Sequence, residues 1–392
     1  MIDTHIIMNK KTAILPVLFA FVVMGFGDVA GIVTSHVKED FQLSETLAGL
    51  IPMAIFVWFL LLSAPTALMM NKIGRKATVQ VSNVITFLGM LIPLFNYNLT
   101  TCLVACAMLG IGNTIIQVAL NPLLSDVVGG KGSLSSYIST GQVLKALSAC
   151  AAPYLALGCA AWFGSWKYMF PAFAIVTLLS SAWLLFTRIE ETPAEGGSSL
   201  GETLKLLGEN YILCCFLAIF TVVGLDVGCN VITPKLLIER CGLDTDHAQL
   251  GITVYFICKT VGAFVGAFLL SKMADRKFFQ LAILIVAAAL AALFFAQGKE
   301  LILTLVGIIG FFGASMFSVI ISLGINHLPA KANEISGLMV MGIVGGGVVS
   351  LLMGLTADRL GSQIGSLAVI AVCVAYLALC AFVLLRPRKA VA

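Results

Sequence analysis

The sequence predicts an all-α membrane protein with twelve transmembrane helices in two pseudo-symmetric six-helix bundles. Its 392 residues are 60% hydrophobic and only 11% charged, and the mean hydropathy is +1.05. Soluble domains carry about 25% charged residues, so the composition indicates an integral membrane protein. The other two observations are the number of apolar segments and the similarity between the two halves of the chain.

Twelve apolar segments are long enough to cross a bilayer, for which about 20 residues are needed. The first of them lacks a small-residue cleavage site, so we expect it to remain as a helix and not to be removed as a signal peptide. The predicted spans are residues 13–35, 45–70, 77–97, 99–127, 134–160, 167–187, 209–233, 247–271, 278–297, 300–326, 334–357 and 362–385.

The polar stretch 188–208 is rich in Gly, Ser and Glu, a composition typical of a linker. It separates a predicted N-terminal bundle, 1–187, from a C-terminal bundle, 209–392. A repeated six-helix unit with its site near the midplane between the repeats is a known design of secondary transporters. Three short stretches of the first half recur in the second, at 41–50 and 241–250, 27–31 and 224–228, and 71–76 and 274–277.

Lys and Arg are distributed unevenly between the two predicted sides of the membrane. Fifteen lie on the side of the N-terminus, six on the opposite side and two within spans. Because Lys and Arg accumulate in cytoplasmic loops, we expect both termini in the cytoplasm. The short loops favour a bacterial inner membrane, and we expect a monomer.

Four charged residues lie in the middle of predicted spans, one Asp and one Lys in each half: Asp28, Lys145, Asp226 and Lys259. An ionisable group at that depth costs at least about 2.5–3.5 kcal/mol, so it usually faces a protein interior or a water-filled cavity. The structural alternative is one silent Asp–Lys ion pair in each bundle, which brings little net stability. The charges therefore indicate a translocation path.

Further polar side chains recur at helical spacing inside the spans, so each group shares one helix face. Such faces should point to a central cavity, because unsatisfied polar groups are costly in lipid. The predicted substrate-binding residues are Asn113, Gln117, Asn121, Gln142, Lys145, Asn230, Tyr255 and Lys259.

Structural roles compete with this interpretation at several of these positions. Asn121 precedes Pro122 and could satisfy a backbone carbonyl that the proline leaves free. Tyr255 could be interior packing, and Asn113 and Gln117 could join helices by hydrogen bonds.

Other function classes find no support in the residues. The chain shows no nucleophile triad, phosphate-binding loop or metal motif, and its eleven cysteines include no Cys-x-x-Cys pair. We therefore expect no enzymatic activity, no cofactor and no metal. The net charge of +4 follows from the loop asymmetry and predicts no nucleic-acid partner. A sensor would be expected to carry a sizeable soluble output domain, and no stretch of the sequence is suited to one.

The loop after the second span resembles the Gly-x-x-x-Asp-Arg/Lys-x-Gly-Arg-Arg/Lys motif of the major facilitator superfamily. Lys72, Gly74, Arg75 and Lys76 match it, whereas Asn71 stands in place of the Asp. In that family the loop is a cytoplasmic latch that breaks as the halves rock. The resemblance implies a cytoplasmic gate, weakened by the missing acid. Its residues would be Asn71, Gly74 and Arg75 in the first half and Asp275 and Arg276 in the second.

Three segments resemble a narrower group, the fucose–galactose–glucose/proton symporter family. They are 339–358 with its Gly-Gly-Gly run, 110–122 with its Asn-Pro ending, and 142–145. The resemblance implies proton-coupled sugar uptake. Three departures are informative. Gln117 stands where the family has a titratable Glu, and Lys145 stands where it has an Asn. Asp28 lies a turn before Gly31, near which the family's first-span Asp aligns.

These departures lead to two hypotheses about the transported solute. In one, the solute is a sugar acid or another small carboxylate, held by Lys145 and by Lys259. In the other it is a neutral hexose, and Lys145 only neutralises Asp28. Asp28 and Asp226 are the predicted coupling sites, for a proton or else for sodium. The alternative function is proton-coupled efflux, which predicts a large aromatic cavity; the aromatic content is only 9%.

Overall fold

The chain is all-helical in its computed structural model, which describes residues 10–29, 33, 36–37, 39–42, 50–129, 133–192, 199–243 and 245–385. No strand occurs in these ranges. The main helices are α1 (Lys10–Met24), α2 (Leu50–Ile73), α3 (Arg75–Phe95), α4 (Leu99–Val128), α5 (Leu134–Phe163), α6 (Met169–Phe186), α7 (Asn210–Cys241), α8 (Thr245–Leu270), α9 (Asp275–Phe295), α10 (Lys299–Gly313), α11 (Met316–His327), α12 (Ala332–Met341), α13 (Gly345–Leu360) and α14 (Ile364–Leu379).

Ten helical segments in the described ranges are long and apolar enough to span a membrane, and two further apolar helices are shorter. The shorter ones, Ala13–Gly27 and Val57–Ile73, correspond to the first two predicted spans. Two predicted spans are each divided: α10 and α11 together form the segment Lys299–His327, and α12 and α13 form Pro329–Leu360. The expected all-α membrane architecture is confirmed.

The chain forms two compact units. Unit 1 consists of Met1–Leu134, Gly141–Thr203 and Ala330–Val340, and unit 2 of Ser135–Thr140, Leu204–Pro329 and Met341–Ala392. Each unit thus takes a short segment from the other half of the sequence. The division at 1–187, 188–208 and 209–392 stays a prediction about the two bundles.

In unit 1, glycine lets α3 and α4 pack closely. A Cβ at Gly112 would lie 2.1 Å from the Thr86 hydroxyl oxygen, and Ser82 donates a hydrogen bond of 2.7 Å to the Gly112 carbonyl. Small residues allow this approach between membrane helices. Helix α4 begins at a capping box, in which the Asn98 side chain accepts from the Thr101 N–H at 2.9 Å.

In unit 2, glycines bring α8 against α10 and α7 against α13. A Cβ at Gly262 would lie 2.1 Å from the Phe311 carbonyl oxygen, and one at Gly345 would lie 2.2 Å from the Phe220 carbonyl oxygen. In both cases the neighbour is backbone, which cannot swing away as a long side chain would. These contacts hold α7 and α8, the helices that carry the polar residues of this unit.

Candidate functional site

Helix α4 carries a buried polar face in unit 1. Asn113, Gln117 and Asn121 follow one another at intervals of four residues, so they share one face of the helix. Their exposed fractions are 3%, 5% and 2%. The predicted stripe is therefore one continuous buried surface of amides.

Asn113 fills the space that Gly27 leaves at the end of the first helical segment. A Cβ at Gly27 would lie 1.7 Å from the Asn113 amide nitrogen, so a larger residue at this position would displace the Asn113 side chain. Neither amide atom of Asn113 has a hydrogen-bond partner among the described residues, and the same holds for the Gln117 carbonyl oxygen. Leaving a buried polar group unsatisfied costs about 1–3 kcal/mol, so these amides are better suited to a ligand than to the resting fold.

Asn121 has a different environment, and it does not satisfy the carbonyl that Pro122 leaves free. Its amide nitrogen donates to the Gln117 carbonyl at 3.1 Å. Pro122 has no N–H and leaves the Val118 carbonyl free, and the Ser336 hydroxyl donates to that carbonyl at 2.7 Å. The proline defect is therefore closed by Ser336, with Asn121 beside it.

The other predicted residues of unit 1 lie on α5 and after α1. Gln142 and Lys145 are half-buried. The Lys145 carbonyl packs against Gly25, where a Cβ would lie 2.5 Å from its oxygen. Asp28 belongs to the 3-10 turn Gly25–Val29 that follows α1, and its side chain lies outside the described residues. The structure thus brings α5 beside the turn that contains Asp28.

Three predicted residues of unit 2 meet in one cluster. Asp226 of α7 accepts a hydrogen bond from the Tyr255 hydroxyl at 2.6 Å on one carboxylate oxygen. Its other oxygen is 2.6 Å from the Lys259 ammonium. The Asp226 and Lys259 side chains are 34% and 32% exposed, whereas Tyr255 is 3% exposed. The Asp–Lys ion pair that stood as the structural alternative is present in this unit, and about a third of each side chain is exposed.

The cluster faces the protein and not the outer surface of α8. Lys259 follows Tyr255 by four residues and precedes the buried Ala263 by four, so all three share one face. The exposed residues Ile257 and Phe264 lie on other faces. Asn230, one turn beyond Asp226 on α7, is half-buried and extends the same polar face.

The loop between α2 and α3 is the centre of a buried polar network in unit 1. Gly74 has φ +88°, a left-handed conformation that favours glycine. Arg75, 4% exposed, pairs with Asp126 at 2.5 Å, and its Nε donates to the Asn333 side chain at 2.7 Å. Removing one partner of a buried ion pair costs about 3–5 kcal/mol, so Arg75 and Asp126 fix this loop to the end of α4.

Asn71 extends this network to α12. The side-chain nitrogen of Asn71 donates to the Glu334 carboxylate at 2.8 Å. Its side-chain oxygen accepts from the side-chain nitrogen of Asn333 at 2.6 Å. The acid that the loop motif lacks at position 71 is therefore present at position 334, on the residue that Asn71 contacts. Glu334 is 2% exposed, so the contact is buried.

The corresponding residues of the second half are engaged inside unit 2. Asp275 accepts from the Ser135 hydroxyl at 2.6 Å and from the Ser322 hydroxyl at 3.0 Å. Arg276 donates to the Phe382 carbonyl at 3.2 Å. Asp275 thus accepts hydrogen bonds from two serine hydroxyl groups. Arg276 donates to a carbonyl at the end of the last helical segment.

Several residues of these networks were not predicted. Glu191 of the predicted linker accepts from the backbone N–H groups of Arg75 and Lys76 at 2.6 and 2.9 Å, at the N-terminus of α3, where a carboxylate is favourable. Acids flanking a span, such as Asp126 and Glu191, are visible in the sequence. Their partners are distant along the chain, so the sequence gives no signal of the pairing.

A second cluster lies between spans in unit 1 and was also missed. Asp40 accepts from the Tyr97 hydroxyl and, at 2.8 Å, from the indole N–H of Trp166. Burial and the adjacent Asp40 carboxylate raise the pKa of Tyr97 well above its usual value. Tyr97 therefore remains a hydrogen-bond donor across the physiological pH range.

Comparison with known proteins places the chain in a family of transporters. A family model of the Major Facilitator Superfamily matches residues 17–341. The glucose/galactose transporter of Brucella abortus (biovar 1, strain 9-941) is 25% identical over 366 residues, which cover 88% of this chain and 87% of that protein. The L-fucose-proton symporter of Escherichia coli K12 is 22% identical over 362 residues, covering 83% and 82%.

Solved structures show the same fold. The crystal structure of the transporter FucP in the outward conformation superposes with a TM-score of 0.83 at 21% identity, covering 94% of this chain and 97% of that one. The proton:xylose symporter XylE gives a TM-score of 0.70 at 14% identity, covering 95% and 94%. The apolar helices, the common fold and the matched family model agree, and this integral membrane protein belongs to the Major Facilitator Superfamily.

Proposed function

We propose that the chain is a secondary active transporter that takes up a small polar solute, a sugar, a sugar acid or another small carboxylate, together with a proton. The relatives named above are a glucose/galactose transporter and a fucose–proton symporter, and the similarity extends over most of both chains. Uptake would proceed by alternating access. In this proposal the protein is a transporter and not an enzyme. It is a monomer in a bacterial inner membrane, and both of its termini lie in the cytoplasm.

The main support for a solute rich in hydroxyl groups is the buried amide face of α4. Asn113 and Gln117 present amide atoms without partners among the described residues. Amides both donate and accept, so they match the hydroxyl groups of a sugar. In this proposal Gln142 and Lys145 complete the binding surface of unit 1, and Asn121 supports it through the backbone of α4.

Coupling is assigned to the two Asp residues within spans. Asp226 has an ammonium and a hydroxyl in contact, and it is accessible enough to exchange a proton. Asp28 is its counterpart in the sequence repeat. Tyr255, Lys259 and Asn230 would bind solute on the side of unit 2.

The gate is assigned to the loops that follow α2 and α8. Asn71, Gly74 and Arg75 hold α12 through Asn333 and Glu334. Asp275 holds the start of α5 through Ser135, and Arg276 lies beside it. Breaking these contacts would open the cytoplasmic side.

Uptake into proteoliposomes tests the proposal. Purified protein is reconstituted, and accumulation of radiolabelled D-galactose and D-galacturonate is followed with an acidic exterior and a neutral interior. We expect accumulation of at least one of the two sugars, abolished by a protonophore and absent from empty liposomes. If neither sugar enters above the level of empty liposomes, or if a sodium gradient drives accumulation equally well without a proton gradient, the proposal is wrong in its solute or in its ion.

A further inference from the structure

The accessible ion pair between α7 and α8 joins Asp226 to Lys259. Lys259 and Asp226 are in direct contact at 2.6 Å, and about a third of each side chain is exposed. Lys259 also lies 5.8 Å from the centroid of the Phe256 ring. Among the described residues, the Asp226 carboxylate is thus the anion that neutralises this ammonium.

Among the described residues of unit 2, none provides a second counter-ion beside Asp226. The titratable groups that face it are Tyr255, Lys259 and the Cys229 thiol, one turn along α7. Of the helices packed against α7, α14 contributes the Cys373 thiol beside Cys229. The remaining ionisable residues of α10, α11 and α13, within the described chain, are at or near helix ends: Lys299, Glu300, His327, Asp358 and Arg359.

We propose that Asp226 stands in for the carboxylate of a sugar acid and that its protonation releases Lys259 to bind that carboxylate. This inference rests on the proposed transport function and names its substrate class. A proton from solution adds to the Asp226 carboxylate, and the Lys259 ammonium exchanges that carboxylate for the carboxylate of the solute. The net charge of the site is zero before and after, which matters because an uncompensated charge is unfavourable inside a membrane protein.

Tyr255 can form a hydrogen bond with Asp226 in its protonated, neutral state as well as in its ionised state. Its hydroxyl donates to the carboxylate at 2.6 Å, and the same hydroxyl oxygen can accept a hydrogen bond from the protonated acid. Both protonation states of Asp226 are thus hydrogen-bonded without movement of the backbone. The cluster can alternate between an internal ion pair and an ion pair with the solute.

This exchange fixes the stoichiometry and the electrical signature of transport. One proton accompanies one anion, so uptake of a sugar acid is electroneutral. Symport of a neutral hexose with a proton would carry one positive charge. D-galacturonate and D-galactose form a matched pair of probes, since they differ only in the carboxylate or hydroxymethyl group at one carbon.

The experiment measures counterflow of both sugars in proteoliposomes at equal pH on the two sides, over a range from mildly acid to mildly alkaline. For the wild-type chain, the half-saturating concentration of galacturonate should rise with pH, by up to about tenfold per pH unit, because binding of the solute takes up one proton. In Asp226→Asn, whose amide mimics the protonated acid, that dependence should disappear. Glu239→Gln is the control, because Glu239 is a carboxylate of α7 with two donors outside the cluster.

Two further measurements keep the inference testable if Asp226→Asn does not fold. Lys259→Gln should raise the half-saturating concentration of galacturonate by about tenfold or more relative to Lys259→Arg, which keeps the cation. A potassium diffusion potential without a pH gradient should not drive galacturonate accumulation, whereas a pH gradient should.

The contrary outcomes are distinct from one another. A wild-type pH dependence in Asp226→Asn, equal galacturonate affinity in Lys259→Gln and Lys259→Arg, or accumulation driven by the potential would each overturn the exchange. Transport of galactose without galacturonate would overturn it and leave the proposed function standing. Counterflow of neither sugar would overturn both.

Discussion

Asn113 shows how much of the site depends on single side chains. It is 3% exposed, and its amide atoms have no partner among the described residues. Asn83 on α3 shares both properties, with an exposed fraction of 1%. The two differ in their position, because Asn113 lies on the polar face of α4 with Gln117 and Asn83 lies on a different helix.

Replacing Asn113 by Ala should weaken binding of the transported sugar by about tenfold or more, since two hydrogen bonds to hydroxyl groups would be lost. Isothermal titration calorimetry of the purified protein with the sugar taken up in the transport assay measures this. Asn83→Ala is the matched control and should leave the dissociation constant within about twofold. Equal losses in both variants would mean that burial alone, and not contact with sugar, explains the effect.

The residues of the polar face could be found from the sequence, but their individual roles could not. Spacing of four residues placed Asn113, Gln117 and Asn121 on one face, and the structure confirms that face. The role of Asn121 depends on its contact with Ser336, which is 215 residues away along the chain. Contacts of that sequence separation leave no trace in local periodicity.

Glycine in α13 sets the distance between neighbouring helices. Gly345 and Gly347 lie two residues apart on different faces. A Cβ at Gly345 would lie 2.2 Å from the Phe220 carbonyl oxygen of α7, whereas a Cβ at Gly347 would meet no atom within 4 Å. The run of glycines therefore contains one position that needs glycine and one that does not.

Gly345→Ala should lower the thermal unfolding midpoint and reduce uptake, because the methyl group must push α13 away from the α7 backbone. Gly347→Ala should raise the midpoint slightly, since alanine favours a helix by about 0.5–1 kcal/mol over glycine. Thermal unfolding of the two variants in detergent compares them directly. A destabilised Gly347→Ala with an unaffected Gly345→Ala would contradict this packing.

Helix boundaries were predictable to the extent that they follow hydropathy. Most of the predicted spans coincide with helices, but 300–326 and 334–357 are each divided, at residues 314–315 and at the 3-10 turn Gly342–Val344. Apolar composition is uniform across both interruptions, so hydropathy does not reveal them. The interruption in the second case lies next to the close contact of Gly345 with α7.

On the scale of the whole molecule, the charge distribution and the apolar helices determine how the chain lies in a membrane. Composition predicted the membrane class, and the apolar segments with the internal repeat predicted the all-α fold, which the structural relatives confirm. The assignment of 135–140 and 330–340 to the opposite units was beyond prediction, because it arises from packing between segments distant in sequence.

The asymmetry of fifteen against six basic residues predicts a cytoplasmic C-terminus. A green fluorescent protein fused to the C-terminus should therefore fluoresce in bacterial cells, and an alkaline phosphatase fusion at the same site should be inactive. A phosphatase fusion after residue 298, in the opposite loop, should be active and serves as the control. The reverse pattern would show that the orientation is inverted.

The contact between Asn71 and Glu334 bears on the exchange of parts between related transporters. In this chain the carboxylate that Asn71 contacts is carried by α12, so positions 71 and 334 form a complementary pair. A chimera that imports a loop with Asp at position 71 would confront that Asp with Glu334 and bring two acids together. Grafts into this chain should therefore transfer the loop and α12 together, and a motif search that requires the acid in the loop would overlook proteins built in this way.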